Sequence, residues 1–293
     1  MSAVVSRQVR EFDAAYDALL ARWPVGTAEL DVATPYGSTR VHARGPADAP
    51  PLVLLPGGGA TGAVWFATAA ALGGSHRVLA VDLPGDPGRS SRGERPLHTG
   101  EDVAAWLDAL LDGLGVDRAD LCGHSYGALL ALTAAVRRPE RVGRLALLDP
   151  TQCFAGFRPG YLLRALPLLL RPTAERARAF LAHETAGSGA DAGCSEVYAR
   201  GTELPGRARP AVLRRPDVSG LRVPVLVLLA GRSGAHDVRR VAAGARRALP
   251  SAEVEVLEGV SHHAMPAARA AELNGLLAAF FGARDQAAFG ISL

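Results

Sequence analysis

The sequence predicts an α/β protein built on a doubly wound, mainly parallel sheet of about eight strands. Three observations predict it. Short all-apolar runs, such as Pro51–Leu55, Val78–Val81 and Val223–Leu229, have the look of strands buried on both faces. Segments of helical periodicity lie between them, so that strand and helix alternate through most of the 293 residues. The third is Leu121-Cys122-Gly123-His124-Ser125-Tyr126-Gly127, which reads as the end of an apolar strand, a tight turn and the start of a helix.

Taken in order, residues 11–22 form an amphipathic helix ended by Trp23-Pro24 and expected to pack on the outside of the domain. Ala28–Thr34 and Ser38–Ala43 are strand-like runs joined as a hairpin by Pro35-Tyr36-Gly37. Pro51–Leu55 leads into Pro56-Gly57-Gly58-Gly59-Ala60-Thr61-Gly62 and then a helix holding Trp65 and Phe66. Val78–Val81 is a strand followed by the Gly- and Pro-rich Asp82–Ser90. Thr99 and Asp102 have capping-box spacing, which predicts a helix to about Leu111 with Val103, Trp106, Leu107, Leu110 and Leu111 on its apolar face. A helix from about Ala128 to Arg137 follows the turn at Ser125, and Arg144–Leu148 is the sixth strand.

From Thr151 to Arg222 the alternation breaks down, with helix-like pieces at 160–170 and 174–184. The excursion is too long for an ordinary connection. Its leucines, Leu162, Leu163, Leu166, Leu168, Leu169 and Leu170, need something apolar to cover. The expected organisation is a helical lid at 151–222 on a core formed by 1–150 and 223–293. Val223–Leu229 (strand), Val238–Leu249 (helix), Val254–Leu257 (strand) and Ala267–Phe281 (helix) complete that core. Phe280, Phe281, Phe289 and Ile291 suit either core or interface, so oligomeric state stays open, and the tail after Arg284 is expected to be disordered.

Composition excludes several classes of function. An apolar fraction of 48% with 21% charged residues describes a globular chain, and no run approaches the ~18 apolar residues of a membrane span. Arg7, Arg10, Glu11, Asp13 and Asp17 interrupt the start, so it lacks a secretory h-region and a cytoplasmic location is expected. All 32 basic residues are arginine, which removes a phosphate loop built on lysine and any Schiff-base chemistry. The formal charge of +3 is small and its basic residues are interspersed with acidic ones, so no nucleic-acid partner is expected. Cys122, Cys153 and Cys194 show no metal or redox spacing, and His183-Glu184 lacks the second histidine of a metalloprotease helix. Neither metal nor cofactor is expected; the implied partner is a small-molecule substrate.

Gly123 to Gly127 is Gly-x-Ser-x-Gly, the nucleophile elbow, in which a strained strand-to-helix turn lifts a serine clear of the sheet. The following helix aims its N-terminal N–H groups at the same spot. The glycine loop after Leu55 permits close backbone approach, so the Gly58 N–H is a candidate oxyanion donor beside that of Tyr126.

Together these features resemble the α/β-hydrolase superfamily, its serine-nucleophile branch with a lid insertion, over roughly residues 28 to 283 apart from the lid. Leu54-Leu55-Pro56-Gly57-Gly58 stands where that family has His-Gly and its oxyanion residue. Asp82–Ser90 resembles its D-x-x-G-x-G-x-S segment, and Gly259-Val260-Ser261-His262 resembles the loop carrying its general base. The resemblance implies Ser125 as nucleophile, His262 as base, with His263 competing, and a carboxylate to orient the base. The family usually carries that acid in a G-x-x-D pattern, but Gly231-Arg232-Ser233 is followed here by Gly234. Asp149, at the end of the sixth strand, is favoured in its place over Asp237, whose other role is to cap a helix.

The function expected is hydrolysis of an ester, thioester or related acyl bond of a small, apolar molecule. Two alternatives belong to other classes: a lyase or cyclase of natural-product biosynthesis on the same scaffold, and a ligand-binding protein without turnover. A dehalogenase or epoxide hydrolase of this fold would carry aspartate at the elbow, which Ser125 opposes.

Overall fold

The computed structural model describes residues 3–205 and 213–283. Eight strands form one sheet: β1 (Ala28–Thr34), β2 (Gly37–Arg44), β3 (Pro51–Leu55), β4 (Arg77–Val81), β5 (Ala119–His124), β6 (Val142–Leu148), β7 (Val225–Ala230) and β8 (Glu253–Leu257). Their spatial order is β1-β2-β4-β3-β5-β6-β7-β8. The β1–β2 and β2–β4 pairings are antiparallel, and all later pairings are parallel. The two-residue period of a strand sorts the core into two layers. Val53, Leu55, Leu79, Leu121, Leu147 and Val227 pack against α3 (Gly100–Gly113), α4 (Tyr126–Arg137) and α8 (Val238–Ala248). Leu52, Leu54, Val78, Cys122, Leu148 and Leu228 face α1 (Ala3–Leu20), α2 (Phe66–Leu72) and α9 (Ala270–Gly282) on the other side. Phe280 and Phe281 belong to this second layer. The expected tail beyond Ala283, with Phe289 and Ile291, lies outside the described residues.

Helix α1 starts well before the predicted residue 11 and does more than cover the surface. Phe12, Tyr16 and Leu19 are fully buried. The Tyr16 hydroxyl donates to Asp82 Oδ2 at 2.8 Å and lies 2.5 Å from His42 Nε2. Asp82 also accepts the Gly62 and Arg89 N–H groups, each at 2.7 Å. The Asp82–Ser90 segment is therefore an anchor: one buried carboxylate ties α1, the glycine loop after β3 and the turn after β4 together. Burial, with the Asp82 charge next, raises the Tyr16 phenol far above its ordinary value, so it stays a donor. Thr99 and Asp102 form the predicted capping box at α3.

Among the described residues, three helices occupy the excursion between β6 and β7: α5 (Pro159–Leu170), α6 (Ala174–Glu184) and α7 (Ala192–Thr202). The first two match the predicted pieces. The third was not anticipated; Asp191 caps it by accepting the Cys194 N–H, and Arg22 and Glu11 of the N-terminal region pair with Asp191 and Arg200. The expectation that the leucines of α5 cover an apolar surface holds for Leu168 alone. Leu162, Leu163, Leu166, Leu169 and Leu170 are 46–71% exposed, because Tyr161, Ala165 and Leu168, at helical spacing, form the inward face instead.

The elbow shows why two glycines are required. A Cβ on Gly123 would lie 2.3 Å from Gly127 O, and one on Gly127 would lie 2.3 Å from Leu55 O. Neither neighbour can yield easily, since both are backbone, one in the first turn of α4 and the other at the end of β3. Gly127→Ala is expected to cost about 3 kcal/mol or more, read as a lowered urea midpoint. A wild-type midpoint in that variant would contradict this packing.

Candidate active site

Ser125 sits between the end of β5 and the first residue of α4 with φ 53° and ψ −114°, a left-handed conformation costly for any residue but glycine. Its N–H donates to Leu148 O at 2.9 Å, which fixes the turn against β6. Its side chain meets His262, which begins the short 3-10 turn after β8: Ser125 Oγ lies 2.8 Å from His262 Nε2. On the far edge of the ring, His262 Nδ1 lies 2.6 Å from Asp149 Oδ2. A carboxylate only accepts here, so Nδ1 carries the ring proton, Nε2 is the acceptor, and the Ser125 hydroxyl donates to it. All three residues are buried.

Asp149 closes β6 with φ 38°, and the loop after β7 completes its coordination. The Ser233 hydroxyl donates to Oδ2 at 2.8 Å and the Ala230 N–H to Oδ1 at 3.2 Å. Burial alone would raise this carboxyl; the bond and charge of His262, then His236 and Ser233, outweigh it and hold the group at about 2. Position 234 is filled from elsewhere: a Cβ on Gly234 would meet Glu184 Oε2 of α6 at 2.3 Å. The loop that carries the acid in many α/β hydrolases thus supplies hydrogen-bond donors to an acid borne on β6. Asp237 stands apart as the N-cap of α8, accepting the Arg240 N–H at 3.1 Å.

Gly58 lies against Tyr126, the residue that follows the serine. A Cβ on Gly58 would come within 3.5 Å of Tyr126 Cβ, and one on Gly57 within 3.4 Å of Ser125 Cβ. The glycine loop therefore runs beside the elbow as closely as its lack of side chains allows. Val64, Leu181, Met265 and Pro266 share with the polar His124, Asp191, Ser195 and His263 the walls of a cavity that reaches Ser125 and His262, so the lining is mixed, more apolar than polar.

Four further residues surround this group: His263, a competing base on sequence grounds, and His124, His236 and Thr151, to which sequence reasoning gives no catalytic role. His124 Nε2 bonds His262 O at 3.0 Å, and His263 Nε2 lies 3.0 Å from the Tyr161 hydroxyl of α5. His263 therefore turns away from Ser125, and His262 alone reaches the serine. The His236 ring stacks on Phe157 and meets His262 edge-on at 5.2 Å. Thr151 Oγ1 lies 2.9 Å from Ser125 Oγ. His236 falls immediately before Asp237, just past the Gly231–Gly234 turn where the family usually carries its acid, and that proximity was the available signal. Asp149, His236 and His262 present ligand atoms within 4.8 Å of one another. A cation there would have to displace the proton held between Asp149 and His262.

Burial, then the proximity of His262, holds His124 down at about 3 and His236 at about 4. The same causes lower His263 well below the ordinary range. The unfolded chain protonates these rings near pH 6.5 while the folded protein does not, so it binds more protons in that window. Stability therefore falls as pH drops from about 6.5 toward 4, and Asp149 adds a further loss from about 4 toward 2. Urea titrations should show this decline. His236→Asn should reduce its slope by up to about 1.4 kcal/mol per pH unit, and an unchanged slope would contradict a buried neutral His236.

The family model described as the alpha/beta hydrolase family matches residues 52–276. The chain is 30% identical over 256 residues, 84% of each protein, to the protein described as the uncharacterized carboxylesterase nap of Bacillus subtilis (strain 168). It is 37% identical over 148 residues to carboxylesterase YbfK of the same organism, an alignment spanning half of each chain. The crystal structure of carboxylesterase CesB (YbfK) superposes with a TM-score of 0.86 at 27% identity, covering 94% of this chain and 99% of that one. Naproxen esterase (carboxylesterase NP) from Bacillus subtilis gives 0.85 at 27% identity, covering 96% and 99%.

Proposed function

The chain belongs to the alpha/beta hydrolase family, and from that premise we propose that it cleaves an ester, thioester or related acyl bond of a small, apolar molecule through Ser125, His262 and Asp149. The observation that carries this reading is the buried relay of two hydrogen bonds, Ser125 Oγ to His262 Nε2 at 2.8 Å and His262 Nδ1 to Asp149 Oδ2 at 2.6 Å, opening on a cavity more apolar than polar.

Serine is a weak nucleophile until a base takes its proton as it attacks. Ser125 Oγ adds to the acyl carbon while its proton passes to His262 Nε2. Asp149 holds the ring in the tautomer this transfer needs and stabilises the imidazolium that forms. The Gly58 and Tyr126 N–H groups receive the charge that develops on the carbonyl oxygen. Collapse of the tetrahedral adduct expels the alcohol or thiol, which takes the proton from His262, and leaves an ester on Ser125. Water then adds to that ester, giving a proton to His262, and departure of Ser125 Oγ with that proton releases the acid.

Residues 151–222 act as the lid. Leu181 of α6 and Tyr198 of α7 line the cavity, and Tyr161 of α5 bonds His263 beside the triad. The carboxylesterase names of the relatives support an ester as substrate. A lyase or cyclase draws its support from the glycine at 234, and Asp149 on His262 withdraws it. The test is turnover of a p-nitrophenyl ester series of increasing acyl length, with carboxylic acid and p-nitrophenol released in equal amounts. Uptake of the esters without hydrolysis would overturn the reading in favour of a binding protein.

A further inference from the structure

We infer that Thr151 is a further catalytic residue, whose hydroxyl donates to Ser125 Oγ and stabilises the negative charge that builds there each time the proton moves to or from His262. The inference rests on the reading of Ser125 as nucleophile. Thr151 holds Ser125 twice: its N–H donates to Ser125 O at 3.3 Å, and Oγ1 lies 2.9 Å from Oγ. The Ser125 proton is committed to His262 Nε2, so the proton in the second bond is that of Thr151. Thr151 is 5% exposed, so its hydroxyl bonds in a site with little competing water.

The backbone explains how one loop reaches both ends of the triad. β5 and β6 are parallel neighbours with His124 opposite Leu148, so the chain leaving β6 runs alongside the elbow. Asp149 and Gln152 adopt φ of 38° and 57°, and this doubly strained turn directs residue 149 under His262 and residue 151 under Ser125. An acid carried after β7 could not be coupled to the serine in this way. The Cys153 thiol donates to Thr151 O at 3.4 Å and steadies the turn from its other side.

The donor acts at two moments. During attack, Oγ becomes more negative as its proton leaves for Nε2. During deacylation, Oγ departs from the acyl carbon and gains charge before His262 returns the proton. A preoriented O–H lowers both barriers while making no bond to the substrate carbonyl.

The decisive comparison is Thr151→Ser against Thr151→Ala, which differ only in the hydroxyl, with Thr151→Val as a shape-preserving third. Burst and steady-state rates with p-nitrophenyl acetate would be measured for each. Serine should stay within about 3-fold of wild type, whereas alanine and valine should lose about 10- to 100-fold in both burst rate and kcat, with KM little changed. Equal rates for serine and alanine would overturn the inference, as would a loss confined to KM. A wild-type protein with no burst and no turnover would instead sink the reading of Ser125 itself, and this inference with it.

Discussion

Ser125→Ala should lower kcat/KM for a p-nitrophenyl ester by about 10⁶-fold, and Ser125→Ala combined with His262→Ala should lower it little further. In the proposed mechanism the two residues act as one device. With the hydroxyl gone, His262 has no proton to accept; with the imidazole gone, Ser125 keeps its proton and attacks too slowly to matter. Additive losses would show two independent contributions and would contradict the relay. Both variants should unfold near the wild-type urea midpoint. Ser125 is held by its backbone bond to Leu148, and the His262 loop retains the Arg232 N–H bond to Val260 O at 2.8 Å.

Asp149→Asn should cost about 10⁴-fold in kcat/KM, while Asp237→Asn should leave it within about 3-fold of wild type. Asparagine at 149 preserves size and one acceptor. Turned to donate its amide to His262 Nδ1, however, it would favour the tautomer with its proton on Nε2, the nitrogen that must receive the serine proton. It also removes the charge that stabilises the imidazolium. Asp237→Asn keeps a competent N-cap on α8, so even its stability effect should be small. The contrast is read in steady-state rates at neutral pH. Near-wild-type activity in Asp149→Asn would show that the 2.6 Å bond to His262 is structural only.

The elbow was legible in the sequence because its pattern is local, two glycines within five residues with a strand before and a helix after. The cause is only half local: a Cβ on Gly123 would meet Gly127 in the same turn, but one on Gly127 would meet Leu55 of the neighbouring strand. The loop bearing His262 was legible through the resemblance of Gly259-Val260-Ser261-His262 to the family's general-base loop, and Gly259 adopts φ 76° where the chain leaves β8. The choice among carboxylates was not local. Asp149 meets His262 only because β6, β7 and β8 pair in register, and its depressed ionisation depends on His262, then His236 and Ser233, all more than eighty residues away along the chain. A residue count along the chain cannot separate it from Asp237.

The histidines show the same division. His236 and His263 have no pattern of their own, and their places beside Phe157 and Tyr161 depend on how α5 folds back over the sheet. Helix α7 was not anticipated although it is as long as α6; its Asp191 cap and its packing on α1 hold it in place. The exposed leucines of α5 misled in the opposite direction. Their number suggested a covered surface, but a helix buries only one stripe, and Tyr161, Ala165 and Leu168 already define it.

The central claim is that Ser125 is an activated nucleophile, and reaction with a fluorophosphonate followed by intact-mass analysis tests it most directly. The account predicts one adduct per chain on wild-type protein, located on Ser125. Labelling should be absent in Ser125→Ala, strongly slowed in His262→Ala and Asp149→Asn, and unchanged in Asp237→Asn. Folded wild-type protein that takes up no label, or takes it up on another residue, would contradict the account.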